Sequence, residues 1–274
     1  MSKTNLALLA VILALAGSFA WYASKHPAGA QIGVPASTTG SAPETADVMP
    51  RTLSADVDGA GLTKLALDVG VGEMHVNPSP DAEIHVRVTL RPKEQEFLWF
   101  FHWMSQGTAH GIAAASLRQE KQDGKLSLSL DYPRTGNQDN VKQEWDVQMP
   151  AKLALDASLK VGELTIEGVA GGVAAQVNVG ELSIDTPKGP IEGEVNVGEI
   201  RAKSQSSEHG KISLSSNIGE TVLYIGGKQS GYHEHGGLGN TVTADGDGPD
   251  GMHLGVNVGE ASLRINPADG QGHP

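Results

Sequence analysis

Apolar and polar residues alternate along most of this chain, in short runs that halt at glycine or proline and resume on the opposite parity. Leu65-Ala66-Leu67-Asp68-Val69, Glu83-Ile84-His85-Val86-Arg87-Val88 and Lys125-Leu126-Ser127-Leu128-Ser129-Leu130 each put every second side chain on one face, the period of a half-buried β-strand. The pattern is plainest from Ser158 to Lys203, where one phrase is written three times: Leu159-Lys160-Val161-Gly162-Glu163-Leu164, Val177-Asn178-Val179-Gly180-Glu181-Leu182 and Val195-Asn196-Val197-Gly198-Glu199-Ile200. Related phrases stand at Val69-Gly70-Val71-Gly72-Glu73, Asn217-Ile218-Gly219-Glu220, Val256-Asn257-Val258-Gly259-Glu260 and, loosely, Gly237-Leu238-Gly239-Asn240.

Alternation puts Val177 and Val179 inside before the glycine and Leu182 and Ile184 inside after it, so the buried set changes parity across Gly-Glu. A corner or bulge is required there, and a residue without a Cβ suits the bend. The repeated glycines are 18, 18, 21, 20 and 20 residues apart from Gly162 to Gly259, and periods near 20 residues mark a solenoid. The predicted fold class is therefore all-β: a single-stranded β-solenoid of roughly 18–21-residue coils, with neighbouring coils paired about 4.8 Å apart.

Around this array the pattern changes. Lys3 precedes an uncharged run from Thr4 to Ser24 with its apolar core at Leu6 to Leu15 and Trp21-Tyr22 at the far edge. Residues 1–24 are expected to be a signal peptide, with small residues at Ser18-Phe19-Ala20 and Ala28-Gly29-Ala30, or a signal-anchor helix that stays in the membrane. Either way the remaining chain is exported. Residues 25–56, rich in Ala, Pro, Gly, Ser and Thr, read as a flexible linker. The solenoid domain is expected over 57–267, with residues 268–274 as a disordered tail. Residues 91–124 interrupt the repeat with a short helical insertion whose segment Phe97-Leu98-Trp99-Phe100-Phe101-His102-Trp103 holds five of the chain's 12 aromatic residues. Such a helix is apolar nearly all round. It either caps an open sheet edge, as arrays need, or forms a partner- or membrane-binding patch through Phe97, Trp99, Phe100, Phe101 and Trp103.

Composition narrows the function. With 20 Lys and Arg against 32 Asp and Glu the net charge is −12, which repels nucleic acid. The absence of cysteine excludes disulfides, thiolate metal sites and a lipoprotein anchor.

A strand closing on a proline (Glu144-Trp145-Asp146-Val147-Gln148-Met149-Pro150), a segment Lys152-Leu153-Ala154-Leu155-Asp156-Ala157, then Gly162-Glu163-Leu164-Thr165-Ile166-Glu167-Gly168 and the Val-x-Val-Gly-Glu coils resemble the bacterial "putative-adhesin" β-solenoid domain family of unknown function. The resemblance spans about Val57 to Pro267. It implies an envelope location and a binding or scaffolding role, and carries over no catalytic residue. The aromatic insertion departs from the family's plain repeat.

In-register stacking would align Glu163, Glu181, Glu199, Glu220 and Glu260 in a carboxylate column interrupted by Asn240. Such a column invites calcium or basic neighbours unless the side chains splay into solvent or pair with Lys160, Lys188, Arg201 and Lys203. Asn178, Asn196, Asn217 and Asn257 would form an amide ladder. His233-Glu234-His235 is the one metal-like cluster, two imidazoles that lack a third ligand and stand among glycines that suggest a loop. No phosphate loop, nucleophile elbow or distinguished acid–base pair is present. No cofactor is expected.

The expected function is accordingly a non-catalytic module, membrane-tethered in the bacterial inner membrane with its domain outside the cytoplasm, or periplasmic if cleaved. It binds or scaffolds an envelope protein or glycan through the aromatic insertion or through Glu163, Glu181 and Glu199. The alternative is a carbohydrate-active β-helix enzyme using an acidic face, which calls for an arginine over clustered carboxylates in a groove.

Overall fold

Thirteen strands make up the described portion of the chain, which in this computed structural model comprises residues 50–92, 112–132, 141–204, 210–226, 232–233, 241–244 and 252–266. They are β1 (Arg51–Asp58), β2 (Lys64–Pro78), β3 (Glu83–Pro92), β4 (Ser116–Gln122), β5 (Lys125–Asp131), β6 (Val141–Met149), β7 (Ala154–Glu167), β8 (Val173–Thr186), β9 (Ile191–Ser204), β10 (Ile212–Gly226), β11 (Tyr232–His233), β12 (Thr241–Ala244) and β13 (Met252–Asn266). All join one sheet, whose path runs β1-β3-β6-β2-β7-β8-β9-β10-β13-β12-β11, with β5 and then β4 branching from β2. The described residues are all-β apart from one helical turn, as their alternation predicts. Among the described residues no helix is long and apolar enough to cross a membrane; the expected signal or anchor segment, residues 1–24, lies outside them.

The centre is a parallel stack, β2-β7-β8-β9-β10-β13, in strict register: Gly72, Gly162, Gly180, Gly198, Gly219 and Gly259 are consecutive partners. Each strand has two arms joined at its glycine. Before it, Leu65, Leu155, Val173, Ile191, Ile212 and Met252 stack inside; after it, Met74, Leu164, Leu182, Ile200, Thr221 and Ala261 do so. Identical positions fill the core level by level, each buried Leu, Ile or Val contributing about 1.5–3 kcal/mol over an exposed one.

Three expectations change. Val179 is not inside: it is 40% exposed, and burial switches from Val177 directly to Leu182, with residues 178–181 turned outward or half-outward. The bend occupies four residues because the glycine, at φ +140°, tips the whole Asn-Val-Gly-Glu segment to the convex side. Second, Gly219 pairs directly with Gly259, 40 residues on, so no coil stands between them; the loose copy Gly237-Leu238-Gly239-Asn240 lies outside the described residues. The expected 20-residue step between Gly219 and Gly259 is therefore absent. Likewise Gly72 and Gly162 are direct partners although 90 residues separate them. The 18–21-residue spacing therefore holds only from Gly162 to Gly219.

Third, the first strand opens at Arg51, inside the stretch expected to be linker, because Leu53 and Val57 pack against the core as β1 pairs with β3. The expected helical insertion is also partly strand: after a single helical turn at residues 112–114, β4 and β5 form a hairpin around Asp123-Gly124, both at positive φ (51° and 76°), the conformation that a tight two-residue hairpin needs.

Candidate interaction surface

The convex side of the bend carries three parallel columns of side chains. The first begins from the asparagines. Asn196 Nδ2 donates to Asn178 Oδ1 (3.2 Å), Asn217 Nδ2 to Asn196 Oδ1 (3.1 Å) and Asn257 Nδ2 to Asn217 Oδ1 (2.9 Å). The amide ladder is thus continuous over four rungs. Backbone pairing skips this position while resuming on either side, so side-chain amides supply the cross-rung contact where the bend interrupts the ladder.

Beside it runs an aliphatic column, Val71, Val161, Val179, Val197, Ile218 and Val258, partnered rung to rung. Val161, Val179 and Val258 are 41, 40 and 49% exposed, the exposed large hydrophobic residues of the described chain. Single exposed valines are ordinary, but a row on consecutive rungs is a patch.

The third column is acidic and longer than the sequence suggests. Glu73, Glu163, Glu181, Glu199, Glu220 and Glu260 are consecutive partners, with no interruption at Asn240. On the far side of Glu73 stands Glu144 of β6. Seven carboxylates therefore line up at strand spacing over about 29 Å. The structure brings together Glu163, Glu181 and Glu199, the three glutamates among the residues singled out for interaction. It adds Glu144, whose own phrase has Gln143 in place of the glycine and so escapes a search for Gly-Glu. The aliphatic column was also missed, because plain alternation assigns those valines to the interior.

Counter-charges meet three of the seven. Arg91 lies 3.4 Å from Glu144, Lys142 Nζ donates to Glu73 Oε1 at 2.6 Å, and Arg201 lies 2.6 Å from Glu199. The Lys142 hydrogen bond holds the Glu73 carboxyl below its usual range. Glu199 goes the other way: partial burial pushes it up, Glu220 and Glu181 on adjacent rungs push in the same direction, and Arg201 opposes them. The middle of the column thus behaves as crowded negative charge.

A second polar locus lies on the outer face of β1, β3 and β6, where Ser54, Asp56, His85, Arg87, Asp146 and Gln148 line a shallow groove. His85 Nδ1 is 2.7 Å from Asp56 Oδ1, and its Nε2 is 3.2 Å from both oxygens of Asp81. Asp56 first, then Asp81, raises the imidazole above its ordinary value. Among the described residues no group of three or more His, Asp or Glu is placed to hold a metal. Phe97, Trp99, Phe100, Phe101 and Trp103 lie outside the described residues, as do Glu234 and His235 of the metal-like triplet.

No protein-family model and no curated protein matches the chain. Solved structures do show likeness. A "putative cell adhesion protein" from Clostridium sporogenes aligns with 80% of this chain and 100% of its own, at 14% identity and a TM-score of 0.44. A "putative adhesin" from Bacteroides fragilis aligns with 79% of this chain and 97% of its own, at 12% identity and a TM-score of 0.31. One from Parabacteroides merdae covers 79% and 96%, at 11% identity and a TM-score of 0.21. These likenesses are too distant to transfer a function.

Proposed function

We propose that this chain is a non-catalytic, exported β-solenoid, held to a bacterial membrane by its amino-terminal apolar segment, whose convex corner binds an envelope protein or glycan. The observation that carries the reading is the exposed aliphatic row beside the carboxylate column. Water-facing valines on consecutive rungs gain by being covered, and an acidic flank selects a partner with apolar groups next to basic or hydroxyl groups. A rigid stack holds both columns at fixed spacing, so the partner meets a preorganised surface. Export is supported by Lys3 and the uncharged run from Thr4 to Ser24, and the balance of −12 suits neither nucleic acid nor anionic lipid.

The test is a photo-crosslinking residue placed at Val179 of the full chain in intact cells, with Ser213 on the outer face of the other arm as control. Adducts are expected from position 179 alone, and Val161→Ser with Val258→Ser should reduce them. Equal adducts at both positions, or a domain protected from protease added to spheroplasts, would sink the reading.

One observation favours the carbohydrate-active alternative: Arg87 stands with Asp56 and Asp146 in the β1-β3-β6 groove. Turnover of an acidic glycan, lost in Asp146→Asn, would establish it; no turnover over a panel of envelope glycans removes it.

A further inference from the structure

The starts of the first-arm strands border a groove of about 280 Å³ on the outer face of the sheet, at the opposite end of the arm from the glycine bend. Its shape follows from side-chain size. Alternation turns Ala154 of β7 and Ala174 of β8 toward the outside, and Gly172 leads into β8, so two neighbouring rungs offer almost no side chain there. A Cβ at Gly172 would stand 3.0 Å from Pro190 Cγ and narrow the space, and its φ of +105° favours glycine. Pro190, exposed at the entry to β9, makes a rigid apolar wall.

Lysines stand at both ends. Lys64 of β2 and Lys211, just before β10, line the groove four strand spacings, or about 19 Å, apart. Lys64 is also the register partner of Lys125, a like-charge pair that costs stability on adjacent strands. One carboxylate, Asp156, lies against both, 3.4 Å from Lys64 Nζ and 3.6 Å from Lys125 Nζ, which leaves a positive charge over. With Glu192 on the groove's side, three lysines face two carboxylates, so the locus is positive on a chain whose balance is −12. The carboxylate column does not reach it. Lys64 is eight residues before Gly72, about 26 Å along a strand, and charge is screened over about 8 Å at physiological ionic strength.

We propose that this groove binds a short carboxylated glycan, with sugar rings over Ala154, Ala174 and Pro190, carboxylates toward Lys64 and Lys211, and ring hydroxyls toward Glu192 and Ser213. An acidic peptide has the charge but not the fit. Extended peptides bind a sheet through free main-chain groups, whereas here the amides of Leu155, Val173 and Ile191 already donate to the carbonyls of Gly172, Pro190 and Lys211 at 2.9 Å. Side chains must hold the ligand, as they hold a sugar. The groove shares no residue with the corner columns or with the β1-β3-β6 groove, so it stands or falls apart from them.

The test is isothermal titration calorimetry of the full chain in an uncharged mild detergent at low ionic strength. The probes are a galacturonic acid tetramer, a neutral galactose tetramer and a tetraglutamate peptide. One acidic tetramer is expected to bind per chain, with the other two binding at least tenfold more weakly. Lys64→Gln and Lys211→Gln should each weaken binding about tenfold by removing a charged contact, while Lys203→Gln, on the other arm, should not. Ala174→Tyr puts a ring into the groove and should abolish binding without removing a charge, whereas Ala174→Ser keeps the affinity. Thermal melts check that each variant folds, and the lysine variants decide the matter if Ala174→Tyr does not. Val161→Ser with Val258→Ser should leave the affinity unchanged, since the corner takes no part. No saturable binding, equal affinity for the neutral sugar, tighter binding of the peptide, a folded Ala174→Tyr that still binds, or equal losses in Lys203→Gln and Lys64→Gln would each overturn the proposal.

Discussion

At Gly180 the backbone stands at φ +140° and a Cβ would overlap the carbonyl oxygen of Gly162 on the preceding rung. The same relation links Gly72, Gly162, Gly198, Gly219 and Gly259 to the rung before each, at φ between +138° and +152°. Two costs combine on substitution: a conformation that L-residues avoid, and a steric conflict with main chain that cannot swing aside. Gly180→Ala is expected to destabilise the domain by about 3 kcal/mol or more, read from chemical denaturation. A change under about 1 kcal/mol would mean that the bend is not built on this contact.

Glu199 offers a residue-scale check on the carboxylate column. Its folded-state pKa lies above the usual 4.5, through burial and its Glu neighbours. The folded chain therefore binds this proton more tightly than the unfolded one, and stability falls as pH rises from 4.5 through the raised value. Thermal melts across that interval should show a shallower decline for Glu199→Gln than for the native chain. Parallel curves would show that the column is electrostatically relaxed.

Between elements, the informative contact is the hold of β3 and its preceding turn on the edge strand β1. His85 sits between Asp56 of β1 and Asp81 of the turn, and its pKa is raised above 6.5. A raised histidine contributes stability that is present below 6.5 and is lost as pH climbs through the folded value. Imidazole NMR should therefore find His85 titrating above 6.5, and Asp56→Asn should bring it down. An unchanged titration would show that the hydrogen bond to Asp56 is not formed in solution. This contact was not legible in the sequence, because it joins residues 29 positions apart through an antiparallel pairing that no repeat announces. The four-rung core from Gly162 to Gly219 was legible, since the Gly-Glu phrase recurs at coil spacing and each copy solves the same packing problem. Val179 was misplaced for a physical reason: alternation assumes a straight strand, whereas the bend at Gly180 already turns Asn178 and Val179 outward. The carboxylate column was foreseen in kind but not in extent, since Glu144 joins it through β6, a strand without the repeated phrase.

For the molecule as a whole, stacking brings identical residues onto one another, so that a weak feature of one rung becomes a surface across several. One valine at 40% exposure and one glutamate mean little alone; whole columns of them in register make a patterned face. The chain has no cysteine, so the register can be read by introducing two. Cα atoms of partnered residues on adjacent rungs, about 4.8 Å apart, lie within the Cα range of a disulfide. The deciding measurement is oxidation of Glu220→Cys with Glu260→Cys beside Glu220→Cys with Asn240→Cys. Direct pairing of Gly219 with Gly259 requires a rapid cross-link in the first pair, across 40 residues of sequence, and none in the second. A cross-link at Asn240 with none at Glu260 would restore the evenly spaced coil and contradict the uninterrupted carboxylate column.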